Sequence, residues 1–244
     1  MNGRWTRRAR PLLGTLVEVG MAGADEAALR AAFDAIGEVQ AALSRFDPVS
    51  DIGRFHALPV GASLPVHRNT AAVLSAAQSL HDASDGLFDV SLGSAPDGWR
   101  CDGMHLHKLS DSVRLDLGGI AKGYAVDRAV DALIESGCAA GWVNAGGDVR
   151  AFGEAELPLS LRDETSGGVR TFAALAGGAF ATSHFDRRSR SQATATASRG
   201  AIRAHASVAA PLCLWADALT KVVAISGDTS HPLLAKYAAQ AWLH

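Results

Sequence analysis

The sequence contains few cysteines, and none of them lie close together. Its three cysteines, Cys101, Cys138 and Cys213, are odd in number and form no Cys-x-x-Cys pair. Disulfide frameworks and zinc sites need cysteines at paired spacings, so the sequence predicts neither of them. We expect buried free thiols, because free cysteine packs as a small apolar residue.

Long apolar runs and an excess of charge of one sign are also missing. No run approaches the roughly 18 apolar residues that a membrane helix needs. The arginine-rich amino terminus precedes Pro11–Val19, which is too short for a signal peptide and is broken by Gly14, Thr15 and Glu18. We therefore expect no membrane segment, no export signal and a cytoplasmic location. The net charge of −2 is too balanced for indiscriminate nucleic-acid binding, so no nucleic-acid partner is predicted.

Proline is scarce, with eight in 244 residues, and the absence of a low-complexity block argues against a disordered chain. Hydrophobic residues make up 48% of the sequence, enough for a sizeable core in one large domain or two small ones. The helices and strands that the sequence predicts are intermixed but do not alternate strictly. This order favours an α+β fold with a largely antiparallel sheet.

Periodic patterns locate the main elements. Alternating, β-branched residues predict a strand at Leu12–Gly20, and a further short strand is predicted at Val113–Leu117. Strands at Trp142–Ala145 and Val149–Phe152 flank a Gly-Gly turn, which is typical of a β-hairpin. Helical spacing predicts five helices, at Ala24–Ser44, Thr70–Ser84, Lys122–Ser136, Leu214–Ile225 and Pro232–Trp242.

The most informative segment is Leu115–Asp127, which reads Leu-Asp-Leu-Gly-Gly-Ile-Ala-Lys-Gly-Tyr-Ala-Val-Asp. Here a predicted strand leads into a double glycine and then into a helix with Lys122 in its first turn. Glycine allows a backbone to approach a ligand closely, and the free N–H groups of a helix start favour an anion such as phosphate. The segment matches neither of the named nucleotide-binding glycine patterns. It indicates either an anion site or a tight turn with packing glycines.

Two acidic residues lie among apolar neighbours. Asp217 interrupts an apolar helix, where a buried carboxylate is costly unless it is paired or bound to a metal. Thr220 and Lys221 follow it at positions i+3 and i+4, on the same helix face. Asp217 is thus either a metal ligand or the partner of Lys221 in an ion pair. Asp89 lies beside an apolar pair, where a turn-capping role is the usual meaning of an aspartate.

Taken in order along the chain, these motifs resemble the ApbE family, the magnesium-dependent FAD:protein FMN transferases. The match spans nearly the whole chain, and Leu115–Asp127 is its most specific part. The resemblance implies an ApbE-type α+β fold, related to the T-fold, in a single domain over residues 1–244. The other matching motifs are Leu12–Thr15, Leu43–Phe46, Ser50–Phe55, Gly86–Asp89, Gly146–Asp148, Thr182–Ser183 and Ala216–Thr220.

The resemblance also implies a reaction and a set of site residues. In this family a Thr or Ser hydroxyl of an acceptor protein attacks the flavin-side phosphorus of FAD, AMP leaves, and FMN stays attached. FAD is therefore the implied substrate, Mg²⁺ the implied cofactor and an acceptor protein the implied partner. Lys122 and Asp217 fall at catalytic positions, and Gly119 (through its carbonyl), Asp217 and Thr220 fall at metal-ligand positions. The positions implied to contact FAD are Leu13, Phe46, Leu87, Phe88, Asp89, Asp116 and Lys122.

One departure from the family pattern lies in the helix that carries Asp217. The family usually reads Asp-x-x-x-Thr there, whereas this chain has Thr220 at i+3 and Lys221 at i+4. An ammonium group has donors and no lone pair, so it cannot bind a cation. Either Thr220 turns in to serve as the ligand, or Lys221 lies near the pyrophosphate and replaces part of the metal's charge.

A second departure follows the Thr-Ser pair, where the family usually has Thr-Ser-Gly and then His-x-x-Asp-Pro-x-Thr-Gly. Here His184 comes next, and Arg187–Arg203 holds five arginines and no acidic residue. That stretch is either a solvated loop or an arginine-rich flap over an anionic ligand, since guanidinium suits phosphate. The departure leaves an alternative function open, namely a relative that hydrolyses FAD or only binds flavin.

Overall fold

Twelve strands and six helices are present in the computed structural model, which describes residues 5–162, 168–183 and 205–244. The strands are β1 (Trp5–Leu12), β2 (Thr15–Ala22), β3 (Ser63–Pro65), β4 (Trp99–Asp102), β5 (His105–Lys108), β6 (Gly141–Ala145), β7 (Asp148–Phe152), β8 (Leu157–Arg162), β9 (Val169–Leu175), β10 (Gly178–Ser183), β11 (Ala206–Ala210) and β12 (Gln240–Leu243). The helices are α1 (Glu26–Leu43), α2 (Asp51–Ala57), α3 (Arg68–Ala83), α4 (Ala121–Glu135), α5 (Cys213–Ser226) and α6 (Pro232–Lys236).

Seven of the strands form one sheet in the order β1-β2-β6-β7-β10-β11-β12, and every neighbouring pair in it is antiparallel. A three-stranded sheet, β3-β5-β4, and the hairpin β8-β9 accompany it. The predicted α+β fold with a largely antiparallel sheet is confirmed. The helices predicted from periodicity around α1, α3, α4 and α5 are also present.

The two faces of the seven-stranded sheet are covered differently. On one face α4 packs against β6 and β7, α5 packs against β10 and β11, and α1 packs on α4. On the other face Val149 and Ala151 of β7 pack with Leu159 of the β8-β9 hairpin. Successive side chains of a strand point to opposite faces, so Arg150 between them reaches α4, where it pairs with Asp127 at 3.0 Å. The large core lies under the helices, two of which carry Lys122, Asp217 and Thr220.

The amino-terminal strand prediction was wrong in one respect. The predicted strand Leu12–Gly20 is divided between β1 and β2 by a two-residue turn at Leu13 and Gly14, whose φ angles are 55° and 72°. Positive φ at both positions is what a tight hairpin turn requires. The Leu13 N–H donates to Gln40 Oε1 at 2.5 Å, which ties the turn to α1.

The predicted strand at Val113–Leu117 is not a strand in the structure. The Leu115 N–H donates to His56 Nε2 at 2.9 Å, and the Asp116 N–H donates to the Val90 carbonyl at 2.8 Å. A side chain and a loop carbonyl thus replace a partner strand. The glycine-rich segment starts from a loop that α2 holds in place.

The carboxyl-terminal helix is shorter than predicted. The helical spacing over Pro232–Trp242 gives only the short helix α6, after which Ala238 takes a φ of 49° and β12 begins. β12 pairs with β11 at the edge of the main sheet, so strand pairing outweighs the local helical pattern there.

All three cysteines are free, as predicted, although only Cys213 is buried and Cys101 and Cys138 are half-buried. Within the described ranges, no helix has both the length and the apolar character needed to cross a bilayer.

Candidate functional site

A cavity of about 420 Å³ opens between the first hairpin turn, α1 and the start of α4. Five residues that the resemblance assigns to FAD or metal contacts line it, together with Lys221, which the sequence marked as a departure. The five are Leu13, Phe46, Asp116, Gly119 and Lys122. The structure thus brings together residues that are far apart in the sequence.

Three other predicted FAD contacts, Leu87, Phe88 and Asp89, are not among the described residues that line the cavity. The Asp89 carboxylate accepts the N–H groups of Ser91 and Gly93, each at 2.8 Å, which makes it the organiser of a turn. The carbonyl of Val90 in this turn accepts the Asp116 N–H, so the turn supports the glycine-rich segment. A contact of these three residues with FAD stays a prediction.

The start of α4 forms one wall of the cavity. Ile120 occupies the N-cap position, and its apolar side chain makes no capping hydrogen bond in the described part of the chain. The Gly118 N–H donates to Asp116 Oδ1 at 2.8 Å, and Arg45 Nε lies 3.1 Å from Asp116 Oδ2. The Ala121 N–H donates to the Leu117 carbonyl and the Gly123 N–H to Asp217, so within the described residues only the Lys122 N–H of the first turn is left to bind an anion.

An exposed aromatic ring lies at the rim of the cavity. Phe46 is 77% exposed, and the guanidinium carbon of Arg45 lies 4.4 Å from the centre of its ring. Single exposed apolar residues are common on protein surfaces, but this one belongs to the lining of the cavity. The ring offers a flat surface on which a planar ligand can stack.

Two ion pairs lie at the inner end of the cavity. Lys122 on α4 pairs with Asp148 at the start of β7, and Lys221 on α5 pairs with Asp217 one helical turn earlier. Asp148, Asp217 and Lys221 are buried, whereas Lys122 is about one-third exposed. Both lysines line the cavity. Sequence reasoning did not select Asp148 as a site residue, although the Gly-Gly-Asp turn at the β6-β7 hairpin was the signal that could have found it.

The four groups influence one another's ionisation. Burial raises the pKa of Asp148 to about 6, Asp217 adds to the rise, and Lys122 opposes it. Burial also acts against ionisation of Asp217, but Lys221 and Lys122 outweigh it and lower the pKa of that carboxyl. Burial likewise opposes the charge on Lys122, yet Asp148 and Asp217 outweigh it and raise the pKa of the ammonium above its ordinary value. These shifts keep the Asp217 carboxylate and the Lys122 ammonium charged at neutral pH.

Gly123 lets α4 and α5 approach closely beside this cluster. A Cβ atom at Gly123 would lie 2.2 Å from the carbonyl oxygen of Cys213 and 2.8 Å from Cβ of Asp217. No side chain fits at this distance, and the Gly123 N–H donates to Asp217 Oδ2 at 3.1 Å. Helix packing thus explains the glycine that follows Lys122 in the motif.

Asp127, the last residue of the same motif, fixes the start of α5. Its carboxylate accepts the N–H groups of Cys213 at 2.9 Å and Leu214 at 2.8 Å, and it pairs with Arg150. An acidic group at the N-terminus of a helix binds otherwise unpaired N–H groups and interacts favourably with the helix dipole. Gly123 and Asp127 of the motif therefore both fix the position of α5, which carries Asp217 and Lys221.

The side chains at the predicted magnesium position do not fit that ion. Asp217 already accepts hydrogen bonds at both carboxylate oxygens, from Lys221 and from Gly123. The Thr220 hydroxyl donates to the Asp217 main-chain oxygen and contacts Ser183 Oγ, each at 2.6 Å. Among the described residues, Lys221 rather than Thr220 lines the cavity, and no group of three or more His, Cys, Asp or Glu side chains is placed to hold a metal.

His184 and Arg187–Arg203, which the sequence marked as the second departure from the family pattern, lie outside the described residues.

A cavity lined by two lysines and an exposed aromatic ring suits a ligand with phosphate and aromatic parts. A comparison with known protein families identifies the family to which the chain belongs. The model of the ApbE family matches residues 13–242, and the chain belongs to that family.

Individual relatives agree with this assignment. The chain is 28% identical over 195 residues to the FAD:protein FMN transferase of Rhodobacter capsulatus, a match that covers 65% of this chain and 37% of that protein. This chain therefore matches well under half the length of that relative.

Two solved structures have the same fold. The ApbE protein of Thermotoga maritima superposes with a TM-score of 0.84 at 21% identity, covering 98% of this chain and 94% of its own. The flavin transferase ApbE of Vibrio cholerae superposes with a TM-score of 0.79 at 20% identity, covering 91% and 86%. The predicted ApbE-type architecture is confirmed.

Proposed function

We propose that this chain transfers FMN from FAD to a Thr or Ser hydroxyl of an acceptor protein. The observation that carries the proposal is the cavity that Lys122 and Lys221 line together, with the start of α4 in its wall and Phe46 at the rim. Membership in the ApbE family and the match to an FAD:protein FMN transferase support FAD as the ligand. A cytoplasmic location for the reaction stays a prediction.

The proposed reaction exchanges one phosphorus–oxygen bond for another. The acceptor hydroxyl oxygen attacks the flavin-side phosphorus of FAD, and its proton is released to the medium. The bond from that phosphorus to the bridging oxygen breaks, and AMP leaves with the electron pair of that bond. FMN then remains on the acceptor as a phosphodiester, with no change in oxidation state.

The residues of this cavity suit such a transfer because the barrier comes from charge on the pyrophosphate. Lys122 and Lys221 are proposed to bind the pyrophosphate oxygens, and the Lys122 N–H in the first turn of α4 adds one main-chain donor. Asp148 holds the Lys122 ammonium in place, so little reorganisation is needed when the ligand enters. Phe46 is proposed to cover one face of a ring of FAD.

Mg²⁺, which the resemblance implies, would add positive charge at the pyrophosphate. The described side chains that should hold the ion are already paired, so we assign no step to it. Transfer is therefore to be measured both with Mg²⁺ and with EDTA.

The experiment is to incubate the purified chain with FAD and a protein extract of its own cells, and then to separate the proteins under denaturing conditions. We expect a fluorescent flavin band that survives denaturation and is strongly reduced in Lys122→Gln. Lys236→Gln, a variant of a lysine on α6, is the matched control and should label normally. Release of both AMP and FMN with no labelled protein would favour FAD hydrolysis. Tight flavin binding without turnover would contradict both reactions.

A further inference from the structure

Lys221 holds the position at which the resemblance places a metal ligand. It lies four residues after Asp217 on α5, so both side chains share one face of the helix. Within the described ranges the Lys221 ammonium donates to two acceptors, and both belong to Asp217: Oδ1 and the main-chain oxygen at 2.9 Å. A cation is therefore already bound to Asp217, and it is part of the chain.

The Lys221 ammonium also has a donor left for a ligand. An ammonium group carries three N–H donors, and Asp217 takes two of them. Lys221 lines the same cavity as Lys122, although only 4% of its surface is exposed. A charged group with so little solvent exposure interacts with a ligand more strongly than a surface lysine does, because little water competes with the ligand.

The charges of the two ion pairs at the inner end of the cavity also fit a site in which Lys221 takes the place of a metal ion. Lys122 and Lys221 neutralise Asp148 and Asp217, and the electrostatic influence of Lys221 reaches both carboxylates. A divalent cation bound to Asp217 would have to displace the ammonium from its partner. The displaced ammonium would then lie buried beside a second cation, which is strongly unfavourable.

Thr220 does not offer an alternative ligand. It is fully buried, and its hydroxyl proton goes to the Asp217 main-chain oxygen. The Thr220 hydroxyl oxygen then accepts a hydrogen bond from Ser183 Oγ on β10, at 2.6 Å. Both partners are buried, so this hydroxyl ties α5 to the sheet and is not directed at the cavity.

We propose that the ammonium of Lys221 replaces the divalent metal ion, and that this chain binds the pyrophosphate of FAD without a metal. The inference rests on the proposed function only in taking FAD as the ligand. It predicts that a single residue change, Lys221→Thr, converts a metal-independent site into a metal-dependent one, because it removes the ammonium and restores Asp-x-x-x-Thr spacing.

The test measures FAD binding by flavin fluorescence and Mn²⁺ binding by electron paramagnetic resonance, for the wild type and Lys221→Thr. The wild type is expected to bind FAD with the same Kd in EDTA and in Mg²⁺, and to leave added Mn²⁺ free. Lys221→Thr is expected to bind FAD about ten- to hundredfold more weakly in EDTA, which is the effect of losing a charge-assisted hydrogen bond. Mg²⁺ is expected to restore its affinity, and Mn²⁺ is expected to bind.

A control and a second variant keep the test decisive. Lys236→Thr removes a lysine outside the cavity and should behave as the wild type in both measurements. Lys221→Met removes the charge without adding a ligand, so its FAD affinity should fall and should recover less with Mg²⁺ than that of Lys221→Thr. If Lys221→Thr is folded only with Mg²⁺, a metal-dependent melting temperature also supports the proposal.

Two results overturn the inference: stoichiometric Mn²⁺ binding by the wild type, or wild-type FAD binding that requires Mg²⁺. Neither depends on an acceptor protein. A wild type that binds FAD in EDTA but labels no protein would contradict the proposed transfer and support the inference. If FAD does not bind under any condition, the proposed function fails and the Mn²⁺ measurement alone decides the inference.

Discussion

Replacement of Gly123 by alanine tests the contact between α4 and α5 on which the position of Asp217 depends. The added Cβ would lie 2.2 Å from the carbonyl oxygen of Cys213, 2.7 Å from its carbonyl carbon and 2.8 Å from Cβ of Asp217. These are main-chain atoms and a Cβ, so no flexible side chain can move aside. The two helices must separate, and the hydrogen bond from the Gly123 N–H to Asp217 must lengthen or break.

The expected loss of stability follows from three effects. Overpacking of a tight core site costs about 1–3 kcal/mol. Loss of a hydrogen bond to a buried carboxylate costs about 1.5–3 kcal/mol. Alanine is favoured over glycine in a helix by about 1 kcal/mol, which acts in the opposite direction. The net expectation for Gly123→Ala is a loss of about 2–4 kcal/mol in the free energy of unfolding.

Gly37 in α1 provides a matched control, because a Cβ placed there meets nothing within 4 Å. Gly37→Ala should therefore raise the free energy of unfolding by up to about 1 kcal/mol. Both variants are measured by urea denaturation followed by circular dichroism, and FAD binding is measured in parallel. The same substitution is expected to have opposite signs in the two helices. A Gly123→Ala variant at least as stable as the wild type would refute the close-packing argument.

Three further predictions concern other parts of the site. Asp127→Asn weakens the cap on the first N–H groups of α5 and should lower the free energy of unfolding by about 1–3 kcal/mol in urea denaturation; an unchanged value would contradict the capping role. Phe46→Ala should weaken FAD binding without changing the free energy of unfolding. Val49→Ala, at an equally exposed residue outside the cavity lining, should change neither quantity. If Phe46→Ala binds FAD as tightly as the wild type, the ring does not stack on FAD. Burial lowers the pKa of His56 from its ordinary 6.5, and its Nε2 accepts the Leu115 N–H only when the ring is neutral. The unfolded chain therefore takes up the proton first, and the free energy of unfolding should fall as the pH drops below about 6.5. His56→Gln should show a smaller fall, and an equal fall in both proteins would contradict this account.

Much of the fold follows from local patterns. Amphipathic spacing locates α1, α3 and α4 because each buries one face against the sheet or another helix, whereas α5 is buried on all sides and is recognised by its apolar run. The Gly-Gly turn locates the β6-β7 hairpin because glycine supplies the positive φ that the turn needs. The turn at Leu13 was missed because leucine rarely adopts positive φ, and the flanking strands and the hydrogen bond to Gln40 hold it there.

The site was less predictable because its contacts join distant parts of the sequence. Lys122 and Asp148 come from α4 and from the start of β7, and no local pattern shows that they form an ion pair. The sequence left two roles open for the residues after Asp217, and only the packing of Thr220 against Ser183 separates them. The turn-capping role of Asp89, by contrast, could be predicted from the sequence, because its carboxylate binds only N–H groups a few residues away.

The central claim is that the chain moves FMN, and not AMP, from FAD to a protein. The most direct measurement uses two FAD samples, one labelled with ³²P at the flavin-side phosphorus and one at the adenosine-side phosphorus. Each is incubated with the chain and a protein extract of its own cells, and the proteins are then denatured. The account predicts that only the flavin-side label stays on protein, with AMP released in equal amount. Protein-bound adenosine-side label, or release of both labels with none retained, would contradict it.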